Sequence, residues 1–429
     1  MSEVEFISLV DSGIEILDGD RGKNYPAKSD LAKHGDCVFL NTGNVKNNGF
    51  DFSDVDFISF EKDFSLRNGK LLREDIVMTT RGTVGNLAYY SKDIRFNHIR
   101  INSGMVIIRV NQENWIPYFI YLFLQSDLFK KQTQKLISGS AQPQLPISVL
   151  ETIRIPNYSM KQQEFIAIQI QAIDQKIALN NQINEELEAM AKTLYDYWFV
   201  QFDFPDENGK PYKSSGGKMV YNAQLKREIP EGWGVETLSG LGTIVGGSTP
   251  SKSNLDNFVK SGQGISWITP NDLSKNKGNK FISKGEIDIS EVGRLSANLK
   301  IFPKGTVLLS SRAPIGYLAI ASNELTTNQG FKSFIPNKEY DENYIYYVIK
   351  QSMKVIEQNA SGSTFKEISS TVLGEILVVK PKINLIKKFQ EKVVNINNQI
   401  YVNEVQNQEL SQLRDWLLPM LMNGQVKVE

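Results

Sequence analysis

The sequence predicts an α+β chain built from two similar domains with twisted, mostly antiparallel sheets. Two long helices separate these domains and pair as an antiparallel coiled coil with pseudo-two-fold symmetry. Three observations predict this. A short motif occurs twice, as TTRGTVG at 79–85 and SSRAPIG at 310–316. A longer segment recurs at constant spacing: Ser138 and Ser361, Val149 and Val372, and Ile153 and Ile376 are each 223 positions apart. After each copy the hydrophobic period changes to the alternating four-and-three spacing of a coiled-coil seam.

Taken in order, residues 1–157 form the first domain. Runs such as DIVMTT, LAYYS and GMVIIRV, punctuated by Gly, Asn and Pro, read as short strands, with a helix near 118–135. The second domain, 201–380, repeats the plan with GTVLLSS, YLAIAS and a helix near 342–358. Weaker matches fall in the same order: FLNTGN with SWITPN, INSGMVII with TNQGFKSF, and YFIYLFL with YIYYVIK. Their common order makes duplication the best account.

The helices occupy 158–200 and 381–424. The first ladder runs Ile166, Ile170, Ile173, Ile177, Asn180, Asn184, Leu187, Ala191, Leu194, Trp198. Shifted by 223, it becomes Phe389, Val393, Ile396, Ile400, Asn403, Asn407, Leu410, Arg414, Leu417, Leu421, where only Arg414 departs from the pattern. At 1.5 Å per residue each helix is roughly 50 Å long. Asn180, Asn184, Asn403 and Asn407 sit mid-ladder, and antiparallel pairing brings the two pairs together. A buried Asn lowers stability and fixes register, because a slipped partner leaves its amide unsatisfied. Two similar heads on a strut of fixed length suit a long, regular ligand such as double-stranded DNA.

Composition narrows the function. Lys plus Arg equals Asp plus Glu at 48 each, which argues against a non-specific DNA coat. With one cysteine, Cys37, no intrachain disulfide forms, and no apolar run reaches the ~18 residues of a membrane span. A cytoplasmic protein without membrane contact is expected. Two histidines and one cysteine make no zinc cluster of the usual spacing, and no phosphate loop, H-E-x-x-H or G-x-S-x-G motif occurs. His34 and His98 have no counterparts in the second copy, which argues against a hydrolase with two active sites.

Several motifs in this order resemble the specificity subunit of Type I restriction-modification enzymes over essentially the whole chain. They are DGDRGKNYP (18–26), GGSTPSKSN (246–254), ISWITPNDL (265–273), SSRAPIG (310–316), TTNQG (326–330), YDYWFVQFDFP (195–205) and LRDWLLPMLMNGQV (413–426). The resemblance implies two target-recognition domains, each reading one half of an asymmetric split DNA site. It further implies helices that set the spacer and carry two modification (methyltransferase) subunits, joined by restriction subunits with translocase and nuclease activities. Such a chain has no catalysis and no cofactor of its own; S-adenosylmethionine, ATP and magnesium belong to the partners. A two-headed protein–protein adaptor is the alternative, and Arg-, Asn- and Gln-rich loops repeated in both heads favour DNA over it.

Candidate contacts follow from base chemistry. Arg81 and Arg312 lie beside the hydroxyls of Thr80 and Ser311; such an Arg reads guanine or clamps phosphate, or else holds its own loop. Asn41, Asn44, Asn271, Asn328 and Gln329 are able to read adenine or to cap turns. Arg21, Lys23, Asn24 and Tyr25 crowd one Gly-bounded loop, and its counterpart carries Ser248, Thr249 and Lys252. Lys275, Lys277 and Lys280 form a basic run suited to the DNA backbone or to solvent. The SGSAQPQ and SGSTFKE segments before the helices serve as backbone contacts or hinges. Trp198, Phe199, Trp416 and Leu417, at the helix ends, anchor methyltransferase subunits or pack locally.

Overall fold

A computed structural model of the chain describes residues 4–47, 49–134, 136, 144–312, 314–362 and 366–425. Of the two SGS segments, residues 138–143 and 363–365 therefore lie outside the described residues. The chain divides into two units, 1–177 with 409–429, and 178–408. Each unit thus holds one head and a length of both long helices.

In the first head a four-stranded antiparallel sheet has the order Glu15–Asp18, Met105–Arg109, Ile76–Thr79, Leu87–Tyr89. Its central strands are buried on both faces, so side chains alternate between two cores rather than between core and water. Ile76, Met78, Val106 and Ile108 face the helix Pro117–Gln125, which contributes Phe119, Ile120 and Phe123. Val77, Met105 and Ile107 face the opposite way, onto Val38, Leu40, Ile99 and Ile101. These last four belong to a three-stranded sheet in which Cys37–Leu40 pairs antiparallel with Asp56–Ile58 and parallel with Ile99–Ile101.

The second head repeats the topology. Gly242–Val245, Ser333–Pro336, Val307–Ser311 and Ile315–Ala321 stand in the same order, extended by Phe281–Ile282. Val307 and Leu309 face the helix Glu342–Gln358, capped by the Asp341 carboxylate on Tyr344 N, while Leu308 turns to Ile268 and Leu273. The parallel pair recurs as Ile265–Ile268 with Thr326–Thr327. Antiparallel pairing dominates both heads, and these parallel pairs are the addition the sequence did not suggest.

The long helices run Met160–Tyr195, continued by a π-helical turn at Asp196–Val200, and Ile383–Met422. All ten positions of each ladder are buried or half-buried. Within the second unit the helices meet antiparallel at their asparagines. Asn180 Nδ2 donates to Asn407 Oδ1 and to Gln406 Oε1, both at 2.8 Å, and Asn403 Nδ2 donates to Asn184 Oδ1 at 2.8 Å. In the first unit Arg414, the odd member of its ladder, ion-pairs with Asp174 at 3.0 Å. Asp174 also accepts from Tyr118 of the head, so the ladder position that lacks an apolar side chain is filled by a paired charge.

Lys280 does not join an exposed basic run. It is buried, and Nζ donates to Glu188 (2.9 Å) of the first helix, Asn397 (2.8 Å) of the second and Tyr347 OH (2.8 Å). Glu404 accepts the backbone N–H groups of Lys280 and Phe281. An ammonium buried this deeply is retained because every donor has an acceptor. Burial nevertheless lowers Lys280 to about 8, against the pull of Glu188, and raises the Glu404 carboxyl to about 7.

Candidate nucleic-acid interface

Four segments converge at one edge of each head, held by the same hydrogen bonds in both copies. In TTRGTVG the Thr79 hydroxyl accepts from Asn86 N (3.0 Å), and in SSRAPIG the Ser310 hydroxyl accepts from Tyr317 N (2.8 Å). Thr80 N donates to Gly104 O at 2.9 Å, and Ser311 N donates to Gly330 O at 2.8 Å. The carbonyls of Thr80 and Ser311 accept from Leu145 N and Ile368 N. Arg81 and Arg312 then form matching bridges to Gln144 and Glu367. The opening motifs are therefore one loop built twice, with the hydroxyls as internal staples.

The third segment is the turn after each parallel strand. Asn102 Oδ1 accepts from Gly104 N, and Asn328 Oδ1 accepts from Gly330 N. The fourth, 18–26 or 246–254, folds against that turn so closely that only glycine fits at its start. A Cβ on Gly19 would lie 2.2 Å from Asn102 O, and one on Gly247 would lie 1.8 Å from Thr327 O. Arg21 reaches Ser103 O at 3.4 Å in the first head, and Thr249 donates to Gln329 at 2.5 Å in the second. Asp20 stiffens the first loop: burial opposes its charge, but N–H groups of Gly22, Arg67 and Asn68 hold its carboxyl below the usual range.

Of the candidate contacts, Arg21, Lys23, Asn24, Asn41 and Arg81 in the first head and Lys252, Asn271, Lys275, Lys277 and Gln329 in the second are exposed. Arg21 pairs with Asp18, Lys275 with Glu286, and Arg312 loosely with Glu367 at 3.7 Å. Ser248, Thr249 and Asn328 are half-buried. Tyr25 packs edge-on against Phe39.

Some expectations do not hold. Thr80 and Ser311 are buried, with the Thr80 hydroxyl donating to Gly104 O, so neither hydroxyl faces solvent. Asn44 is also buried, its amide donating to Asp51 O and Asp54 O. Its counterpart is not Asn271 but Asp272, which accepts from Thr269 N as Asn44 accepts from Asn41 N. Trp198 and Phe199 pack against Phe389 and are buried in the core of the second unit, which removes them as exposed anchors. Leu417 is half-buried, while Trp416 is 60% exposed.

Sequence reasoning missed Gly19, Gly247, Asn102 and the Lys280–Glu188 pair. The two glycines stand at equivalent places in the quoted loops, and that coincidence was the available signal. Among the described residues no cluster of His, Cys, Asp or Glu could hold a metal ion, and no helix is long and apolar enough to cross a membrane.

Comparisons with known proteins agree with this duplicated frame. The model of the Type I restriction modification DNA specificity domain matches twice, over residues 4–189 and 230–415. The chain is 27% identical to the Type I restriction enzyme HindI specificity subunit of Haemophilus influenzae, covering 95% of this chain and 98% of that one. A 156-residue stretch, 36% of this chain and 35% of the relative, is 43% identical to the MjaIX specificity subunit of Methanocaldococcus jannaschii. The crystal structure of a Type I restriction-modification S subunit from M. genitalium shares the fold, with a TM-score of 0.56 at 16% identity, over 100% of this chain and 98% of that one. The chain belongs to the Type I restriction-modification specificity subunits, the DNA-recognition members of restriction-modification complexes.

Proposed function

We propose that each head reads one half of an asymmetric bipartite DNA site through the edge where its four segments converge. What carries this reading is one hydrogen-bond frame that displays different side chains in its two copies. Where the first head offers Arg21 and Ser103, the second offers Thr249 and Gln329. A constant frame with variable tips is what recognition of two unlike half-sites requires. Arg81 and Arg312 approach the bases or phosphates, with Lys23, Asn24, Lys252, Asn271 and Lys277 beside them.

The helices set the spacing and dock two modification subunits. Leu179 and Val402 are both exposed, as are Met190 and Leu413, and each pair is one position repeated after 223 residues. Repeated apolar positions off the seam suit two copies of one partner, and Trp416 is likewise exposed. The chain performs no chemistry; S-adenosylmethionine, ATP and magnesium act on the partner subunits.

The test is to combine the chain with its neighbouring methyltransferase subunit and map adenine methylation across a genome. A single bipartite motif is expected. Arg81→Ala should relax one half only, by about 1–3 kcal/mol of discrimination. Methylation that is the same with and without the chain would favour the adaptor.

A further inference from the structure

Each head carries a short helix with two exposed apolar side chains. In the first it is Phe60–Ser65, where Phe64 is 90% exposed and Phe60, one turn earlier on the same face, 55%. The second has Glu291–Ser296, where Leu295 is 65% exposed and Val292 57%. The helices are topological equivalents, since each follows the strand paired antiparallel to the head's parallel pair. Both begin on a serine cap, Ser59 or Ser290. Single exposed apolar residues are ordinary, but a pair at the same place in both copies is not scatter.

Both helices are fastened to the loop proposed to read DNA. Asn24 Nδ2 donates to Ser65 O at 3.0 Å, and Asp20 accepts from Arg67 N at 2.6 Å. In the second head Ser290 N donates to Asn257 O, and Asn257 Nδ2 donates to Ser251 O within GGSTPSKSN. The inner face of the first helix is held rigidly, with buried Asp63 ion-paired to Arg100 and Lys70. Lys23, next to Asn24, and Arg67, two residues beyond the helix, are exposed and make no ion pair among the described residues. In the second head the same holds for Lys252, next to Ser251, and for Lys300, four residues beyond the helix. An apolar tip fastened to a loop that carries an unpaired cation fits a polyanion that offers apolar edges between its phosphates.

We propose that Phe64 and Leu295 are equivalent apolar DNA contacts, each touching one base pair of its half-site and adding to discrimination there. Thymine methyl groups and partly opened base steps are the features a Phe or Leu tip recognises. This rests on the half-site reading above.

The test uses the full chain assembled with its methyltransferase subunit and a DNA library randomised across both half-sites. Phe64→Ala should loosen one position, in the half that Arg81→Ala assigns to the first head. Preference there should fall about three- to tenfold, with the other half unchanged. Leu295→Ala should do the reverse, and Phe64→Leu should keep most of the preference. Because both side chains point outward, the melting temperature should hold. Discrimination within twofold of wild type at every position would overturn the proposal. So would failure of Phe64→Ala to assemble, since the face would then belong to a protein partner. A wild-type complex without any bipartite motif would overturn the half-site reading first, and this proposal with it.

Discussion

At the scale of single residues, the recognition edge depends on backbone proximity as much as on side chains. Gly247 and Gly19 let one loop lie against the carbonyl of the next, and that approach sets where Thr249 and Arg21 project. Gly247→Ala should therefore destabilise the chain by about 2 kcal/mol, read by thermal unfolding, as expected for overpacking against rigid backbone. Reading of the second half-site should weaken while the first is kept. Residue-level roles were the least legible part of the sequence. Thr80 and Ser311 stand in the sequence as candidate contacts beside an arginine, yet the fold buries both. A hydroxyl beside an arginine bonds a neighbouring backbone group as readily as a phosphate, and only three-dimensional folding decides which.

At the scale of elements, the two Asn pairs and the Lys280 cluster are where polar groups were placed inside. Asn184→Leu alone should leave Asn403 short of a buried acceptor and cost about 1–3 kcal/mol in urea unfolding. Adding Asn403→Leu should recover most of that loss, and a double-mutant cycle measures the coupling. Glu404 makes stability depend on pH. Its carboxyl titrates at about 7 when folded, above the ordinary range, so its charge is a burden above pH 7 that protonation relieves on acidification. Between pH 7.5 and 5.5, wild type should gain about 2 kcal/mol relative to Glu404→Gln, measured as the difference of their unfolding curves. Lys280 has the opposite sense: its buried ammonium weighs on the fold below about pH 8 and is relieved above it. The helices were fully legible because a heptad repeat is a local pattern. Lys280 was not, because its partners Glu188 and Asn397 are 92 and 117 residues away.

For the whole molecule, duplication was readable from motifs in common order, and the main hydrogen bonds of the recognition edge recur in both copies. The parallel strand pairs were hidden, since a buried strand reads alike in either direction. If the helices set the spacer, adding seven residues at matched points in both should keep the seam and lengthen the strut by about 10 Å. The methylated motif should then gain about three base pairs between its halves, as genome-wide mapping would register. Seven residues added to one helix alone should abolish assembly. One further consequence follows from the first unit, where the segments near 4 and 424 lie side by side. A Cβ on Gly424 would come within 2.6 Å of Val4, and Tyr158 donates to the carbonyl of Leu421. In chain order each copy is followed by a long helix, and the second of these ends in the unit that holds the first head. Neither copy is intrinsically first. Each half, a head followed by its helix, repeats the other, so exchanging whole halves between relatives should create a new pairing of half-sites without redesigning the fold.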